Sequence, residues 1–339
     1  MSRGRHSAPT YRFGCVLLHD LRCSNSCVFC RAGDEPLPDD LPPAAERRLH
    51  RDTASLISRG IRRIDVSGNE PLRYSKIVSY LRWIRPRFRE IKLLDPGNLL
   101  EEEALAREVV EAGPDVIVLP LYGSHPSVHD ACVRNDGAFR AVTRGIRHVL
   151  DRLGPRQRLD VSTLFLAQNR DDLPALARHL SEDLGVTSLA VNMPMATEEG
   201  VGRFFDEFAV SFPDLRRVVL EMAGVPRVRY HLRYVPPCLF SSRELRRLRE
   251  RGGVDFFNAH FTYRLGDDSA HGDRLAYVDR YREQVPAEAC SACALPSTGA
   301  CDGILRMYLE ANRDHPLRPV TASERSDLGD LLVYRRVNP

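Results

Sequence analysis

The first two-thirds of the chain alternates between short apolar runs and longer segments with a helical repeat. Apolar side chains at a 3.6-residue period, such as Ile77, Leu81 and Ile84, predict helices between the runs. The runs themselves predict six strands, over residues 14–18, 64–67, 91–94, 116–120, 159–165 and 188–192. Six β-α units in succession predict an α/β fold with a parallel sheet covered by helices.

The last third shows a different pattern. From about Phe212 the regular alternation stops, and residues 225–234 and 256–265 resemble strands on either side of a very basic helix over 242–251. We therefore expect a smaller α+β extension after the parallel core. The predicted units are a core over residues 1–211, the extension over 212–324 and a tail over 325–339.

Composition excludes several functional classes. The 339 residues, 43% of them hydrophobic, suffice for about two domains with substantial cores. A formal charge of +3 gives no electrostatic basis for a dedicated nucleic-acid or membrane-surface binder. No apolar run approaches the ~18 residues of a membrane span, and the run at 13–18 is too short for a signal peptide. We therefore expect a cytoplasmic protein.

Nine cysteines in a cytoplasmic chain indicate metal or cluster ligands rather than disulfides. Cys23, Cys27 and Cys30 lie within eight residues, directly after the first predicted strand. Three thiolates on a four-iron cube leave one iron open. Structural zinc usually has C-x2-C pairs and a fourth ligand nearby, so the C-x3-C step favours an iron-sulfur cluster over zinc or unligated thiols. The dispersed Cys15 and Cys132 are predicted to be packed thiols.

The segment C-x3-C-x2-C, with Phe29 before its last cysteine, resembles the signature of the radical S-adenosylmethionine (SAM) superfamily. The resemblance covers about the first 200 residues and implies a partial (β/α)6 TIM-like barrel, open on one side. It also implies a 4Fe-4S cluster on Cys23, Cys27 and Cys30 whose fourth iron is chelated by SAM. An electron from a donor such as flavodoxin or ferredoxin would then release a 5'-deoxyadenosyl radical that abstracts hydrogen from the substrate.

The resemblance continues at the strand ends and predicts cofactor-binding residues. The segment Ser67, Gly68, Asn69, Glu70 and Pro71 resembles the family's Gly-Gly-Glu-Pro motif, with Asn69 in place of the second glycine. In the family this turn offers backbone oxygens to the ammonium group of SAM. The alternative is an ordinary strand-to-helix turn that Pro71 locks.

Further candidates follow the third, fourth and sixth predicted strands. Asp95 and Asn98 stand where many relatives carry Thr-Asn-Gly, although Asn98 could simply cap a helix. His129 could be a substrate contact or part of a helix start. The remaining candidates for cofactor or substrate contacts are Tyr122, Ser124, His125, Asn192, Met193 and Met195, of which the methionines could equally be packing.

Four cysteines in the last third predict a second site. Cys238, Cys290, Cys293 and Cys301 supply the thiolates of a closed iron-sulfur cluster or of structural zinc. They resemble the twitch or SPASM-type extensions of radical SAM enzymes and are too few for the two clusters of a full SPASM domain. The resemblance implies one auxiliary 4Fe-4S cluster, with zinc or free thiols as alternatives. If Cys238 is not a ligand, an open iron could bind substrate, as in molybdenum-cofactor enzymes.

The substrate is the least determined part of the sequence interpretation. Only 22 residues precede Cys23, too few for the peptide-recognition domain that many relatives acting on ribosomal peptides carry. This favours a small-molecule substrate of the sugar, nucleoside or amino-acid type. The alternatives are a peptide maturase with a separate recognition protein and, in another class, a non-catalytic iron-sulfur or zinc protein. Neither a membrane nor a nucleic-acid partner is expected.

Overall fold

A parallel nine-stranded sheet organises the computed structural model, which describes residues 13–30, 36–194, 207–257, 264–265, 284–296, 301 and 303–328. Eight strands lie side by side in chain order, and a short ninth strand pairs with the first at the other edge. They are β1 (Phe13–Leu18), β2 (Arg63–Gly68), β3 (Glu90–Leu94), β4 (Val116–Pro120), β5 (Arg158–Leu164), β6 (Ser188–Asn192), β7 (Arg229–Arg233), β8 (Val254–Phe257) and β9 (Arg264–Leu265). The α/β prediction is confirmed.

Helices alternate with these strands, which is what parallel neighbours in chain order require. They are α1 (Pro43–Ser58), α2 (Ile77–Ile84), α3 (Glu103–Glu111), α4 (Pro126–Val133), α5 (Ala138–Leu150), α6 (Leu173–Arg178), α7 (Phe212–Ala223), α8 (Ser242–Arg251), α9 (Arg306–Ala311) and α10 (Ala322–Asp327). A small antiparallel pair, β10 (Gln284–Val285) and β11 (Ile304–Leu305), lies outside the main sheet. Within the described ranges, no helix is long and apolar enough to cross a bilayer.

The alternation of helix and strand continues beyond Phe212, contrary to the sequence prediction. Both β7 and β8 extend the parallel sheet in order, so the predicted boundary at residue 211 falls between two strands of one sheet. The strand β7 lies within the strand-like segment predicted over residues 225–234, but its composition does not show that it belongs to the parallel sheet. Tyr230 and Leu232 are buried, whereas the two arginines and the histidine of β7 beside and between them are not. An apolar run of the kind typical of a buried parallel strand is therefore missing.

One face of the sheet is buried under the helices and the other is more accessible. In β3, Ile91 and Leu93 are fully buried, while Lys92 and Leu94 on the opposite face are only partly buried. The strands β5, β6 and β7 show the same alternation. A parallel sheet covered on both faces lacks such alternation. The accessible face thus forms a surface next to the carboxyl ends of the strands, where chemistry in related architectures gathers.

The C-terminal segment packs against the main sheet domain through buried aromatic and polar contacts. Tyr308, which is fully buried, stacks on Phe212 with ring centroids 6.5 Å apart, and its hydroxyl donates to Pro194 O at 3.1 Å. Asn312 Oδ1 accepts from the backbone N–H of Phe212 at 2.9 Å, at the start of α7. These contacts fix the described C-terminal segment, including Cys301, relative to the sheet.

Replacing Gly68 by alanine should disrupt the carboxyl end of β2. Gly68 has a φ of +145°, and an added Cβ would lie 2.4 Å from Leu18 O and 2.6 Å from Leu18 N. Because both obstacles are backbone atoms of the neighbouring strand, no rotamer change relieves the clash. We expect the free energy of unfolding to fall by about 3 kcal/mol or more, measured by denaturant titration.

The matched control is Gly60→Ala. Gly60 also has a positive φ, +71°, but an added Cβ would meet nothing within 4 Å. The free energy of unfolding should therefore fall only by the conformational cost of a positive φ at alanine, about 1 kcal/mol. Equal losses in the two variants would contradict the role assigned to the close contact at Gly68.

Candidate functional site

The cysteine loop leaves the sheet at the carboxyl end of β1. Leu18 lies opposite Gly68 in the pairing of β1 with β2, so the loop emerges beside the turn at residues 67–71. Cys23 and Cys27 are partly buried and Cys30 is exposed. Burial raises the pKa of Cys23 to about 11, with the negative charges of Glu70 and Cys30 adding to the effect. Burial also raises the pKa of Cys27, and the nearby Cys30 and Cys23 contribute.

The raised pKa values of Cys23 and Cys27 indicate a setting that opposes separate thiolates. A cationic group among them would remove this penalty, because it stabilises the deprotonated sulfurs. Over the ranges that the structure describes, no three Cys, His, Asp or Glu side chains converge as a single metal ion would require. Three thiols in this setting are a donor set that suits an iron-sulfur cluster.

Glu70 of the turn is joined to the cysteine loop. Its side chain is fully buried and accepts hydrogen bonds from the backbone N–H and the hydroxyl of Ser24, each at 2.9 Å. The Arg73 guanidinium donates to Glu70 at 2.9 Å and to Ser24 Oγ at 2.8 Å. It also donates to Asp39 Oδ1 at 3.0 Å. The buried charge is therefore paired, and the turn and the loop form one unit.

Asp95 and Asn98 follow β3, and they differ in whether a side-chain oxygen is left without a hydrogen-bond donor. Asp95 is buried, and its two carboxylate oxygens accept the backbone N–H groups of Leu72 and Gly97, each at 2.8 Å. Burial raises the pKa of Asp95 to about 7. Asn98 Nδ2 donates to Asn25 Oδ1 at 2.8 Å, whereas Asn98 Oδ1 is buried and accepts no hydrogen bond. This acceptor beside the cysteine loop fits a polar hydrogen of a bound cofactor.

The sequence interpretation missed Asn25 and Asn135. Asn25 lies inside the cysteine loop, and its Oδ1 accepts from both Asn98 Nδ2 and Asn135 Nδ2 at 2.8 Å. The loop backbone is also bound to the end of α4, where Ser26 N donates to Val133 O at 2.9 Å. An asparagine between cysteines was the visible signal for Asn25. Asn135 had none, because only the fold brings it to the loop.

The segment after β4 forms an aromatic wall beside the loop. The Phe29 and Tyr122 rings are 4.9 Å apart, and both pack in a small apolar cluster with Cys132 and Leu166. His129 is buried, stacks on Tyr122 and accepts the Tyr122 N–H at Nδ1, 3.0 Å away. Burial lowers the pKa of His129 to about 4. Its surroundings therefore match the structural alternative rather than a substrate contact.

The remaining candidates are distributed around this end of the sheet. Ser124 donates through its N–H and its hydroxyl to Asp172, each at 2.6 Å, and His125 lies exposed 3.5 Å from the same carboxylate. Asn192 ends β6 on the accessible face. Ser67 lies in β2 opposite Leu17, Met193 is buried, and Met195 lies outside the described residues. Cys15 and Cys132 are both buried, as predicted.

The four later cysteines come together in space. Cys238 follows β7 in the turn Pro237–Leu239, and burial raises its pKa to about 12. The next largest causes are the negative charges of Cys301, Cys290 and Cys293, so each of these three thiols lies close enough to Cys238 to affect its pKa. Cys301 is buried and the other three are partly buried. As at the first cysteine group, the described side chains show no arrangement suited to one metal ion.

Comparison with known proteins gives the class of this domain. Residues 18–180 match the radical SAM superfamily. The chain carries a radical SAM domain. A curated relative, the probable GTP 3',8-cyclase of Thermococcus kodakarensis, is 30% identical over 135 residues, which are 39% of this chain and 42% of the relative. The chain thus spans about two-fifths of the curated relative that it matches. The predicted resemblance to the radical SAM superfamily is confirmed over residues 18–180.

Solved structures show the same fold at low sequence identity. SuiB of Streptococcus suis bound to S-adenosylmethionine is 12% identical, with a TM-score of 0.57 over 91% of this chain and 76% of that chain. The structure of anSMEcpe with bound AdoMet is 12% identical, with a TM-score of 0.50 over 62% of this chain and 59% of that chain. The radical SAM domain implies a 4Fe-4S cluster and SAM.

The buried His129 should make the stability of the fold depend on pH. Its folded pKa of about 4 lies below the ordinary value of 6.5, so protons bind the unfolded chain more strongly. Its contribution is complete above pH 6.5 and is lost as the pH falls through 4, up to about 3 kcal/mol. In His129→Gln, whose amide oxygen can still accept the Tyr122 N–H, unfolding free energies measured between pH 7.5 and 4.5 should fall less steeply.

His125→Gln, which alters an exposed histidine of the same segment, is the control for this experiment. Its pH dependence should follow that of the wild-type chain. If the unfolding free energy of His129→Gln depends on pH as steeply as that of the wild-type chain, His129 is not the source of the pH dependence.

Proposed function

We propose that this chain is a radical SAM enzyme whose Cys23, Cys27 and Cys30 hold a 4Fe-4S cluster. The observation that carries the proposal is the union of the cysteine loop with the turn at residues 67–71 through Glu70 and Ser24. An electron-transfer protein needs no such turn beside its cluster. When bound, the cluster and SAM supply a 5'-deoxyadenosyl radical that takes hydrogen from a substrate, with flavodoxin or ferredoxin as electron donor.

The chain's own residues then act as binding and orienting groups. Ser67, Gly68 and Asn69 present backbone atoms at the carboxyl end of β2, and Pro71 begins the one-turn helix that fixes their direction. Asn98 offers its unpaired Oδ1 from the neighbouring strand end. Tyr122 and Phe29 close the other side with apolar surface and limit access of water to the thiolates.

We further propose that the sheet is the partial barrel of a radical SAM core and that its accessible face receives a small polar molecule. Lys92, Ser162, Asn192 and His231 all lie on that face, at partly buried positions. A curated relative named for a nucleotide substrate supports the small-molecule class. A peptide maturase with a separate recognition protein remains the alternative.

The second cysteine group is proposed to hold an auxiliary 4Fe-4S cluster in a twitch-like extension. Support comes from the pKa of Cys238, which the neighbouring thiols of Cys301, Cys290 and Cys293 raise. Four thiolates match the ligand complement of one closed cluster. Four thiolates would equally complete a tetrahedral zinc site, which is the alternative.

Anaerobic reconstitution tests the central proposal. Reconstituted wild-type chain incubated with SAM and dithionite should produce 5'-deoxyadenosine, whereas Cys27→Ala should produce none and lose about four irons per chain. Cys132→Ala removes a buried thiol next to the loop that is not a proposed ligand, and it should retain both iron and product. A fully reconstituted wild-type chain that makes no 5'-deoxyadenosine would leave a non-catalytic iron-sulfur protein as the better description.

Iron content also tests the second site. The wild-type chain should hold about eight irons, and Cys238→Ala should hold about four while keeping the ability to cleave SAM in the absence of substrate. Cys15→Ala serves as the control, because Cys15 is a core thiol of β1. About four irons with one zinc in the wild-type chain would assign the second site to zinc. Unchanged iron in Cys238→Ala would remove this cysteine from the ligand set.

A further inference from the structure

Asn69 connects the turn to the chain just before the first cysteine. Its Nδ2 donates to His19 O and to Leu21 O, each at 2.9 Å, and its Oδ1 lies 3.3 Å from His19 Nδ1. Its backbone N–H donates to Leu18 O at 3.2 Å. A primary amide has two N–H donors, and here each has its own carbonyl acceptor. The segment between β1 and Cys23 is therefore held by one side chain.

Glu70, the next residue of the turn, holds the chain on the other side of Cys23. It accepts the backbone N–H and the hydroxyl of Ser24. Consecutive residues of one turn thus bind the residues that precede and follow Cys23. The spacing between the Cys23 thiol and the backbone of the turn is fixed from both sides.

We propose that Asn69 is a positioning residue that sets the place of Cys23 relative to the turn. This proposal rests on the proposed function, in which Cys23 binds the cluster and the turn binds SAM. The cluster and SAM must meet at one iron, so the distance between their two binding segments decides how well both bind. Asn69 sets that distance before either arrives, and the ordering of the loop does not have to be achieved on binding.

The backbone conformation at residue 69 allows a residue other than glycine. Gly68 has a positive φ and no space for a Cβ, but Asn69 does not have a positive φ. A glycine is therefore not required at residue 69 by conformation. Glycine would lack all three side-chain contacts. Aspartate, which has the same shape, would lack both donors and would place an oxygen against two carbonyl oxygens.

The test compares Asn69→Gly and Asn69→Asp with the wild-type chain in two states. Without cluster, hydrogen exchange at the amides of residues 19–24 should be at least about tenfold faster in both variants, since each lost hydrogen bond contributes on the order of one factor of ten. After reconstitution, a chelator should remove iron from the first cluster at least about tenfold faster in both. The KM for SAM should rise more than kcat falls, because binding geometry is what changes.

Gln157 offers a matched control far from the cysteine loop. Its Nε2 donates to Val110 O and Pro114 O, each at 2.9 Å, and its Oε1 accepts the Gly154 N–H at 2.9 Å, all next to the amino end of β5. Gln157→Ala therefore removes a comparable set of contacts. It should lower thermal stability, yet leave exchange at residues 19–24 and the rate of iron removal within about twofold of the wild type.

The outcomes separate this proposal from the proposed function. Exchange at residues 19–24 that stays within about twofold in Asn69→Gly would overturn it, whether or not the chain binds a cluster. Faster exchange with unchanged iron removal and unchanged KM would also overturn it, because Asn69 would then only support the local fold. A wild-type chain that binds no 4Fe-4S cluster would refute the proposed function, and the exchange experiment would still decide whether Asn69 holds the segment.

Discussion

The parallel pairing of β1 with β2 is the constraint on which the candidate site depends. Leu18 and Gly68 lie opposite each other at the carboxyl ends of these strands, so the segments that follow must leave the sheet side by side. The absence of a side chain at Gly68 allows this close approach. Ser24 and Glu70, 46 residues apart in the sequence, become hydrogen-bond partners as a direct consequence.

The region around the cysteine loop carries negative charge that Arg73 partly balances. Glu70 is fully buried and pairs with Arg73, which also contacts Asp39. Burial and neighbouring negative charge disfavour the thiolates of Cys23 and Cys27. In the proposed function, iron would supply positive charge at these thiols, so that cluster assembly would also stabilise the loop.

Much of the fold could be predicted because β1 to β6 bury apolar residues with ordinary spacing. Ile91 and Leu93, or Leu189 and Val191, mark their strands clearly. The two further strands overlap segments that were predicted to be strand-like, but they were not predicted to extend the parallel sheet. β7 places arginine and histidine side chains on the accessible face of the sheet, and only its register with β6 reveals that these residues belong to the same parallel array. A polar face is a tertiary property, and a local apolar pattern cannot report it.

The parts of the candidate site that form sequence motifs could be predicted, because their chemistry requires a particular spacing of residues. Contacts that depend on the register of neighbouring strands could not. The cysteines and the turn are visible as motifs, and the departure at Asn69 is visible as well. What Asn69 does is not, because its partners His19 and Leu21 follow a different strand and become neighbours only when β1 pairs with β2. Asp95 was predicted to be a cofactor contact, but both of its carboxylate oxygens accept backbone N–H groups of the fold. In this region, hydrogen-bond geometry rather than sequence therefore distinguishes the residues proposed to bind ligands from those that hold them in place.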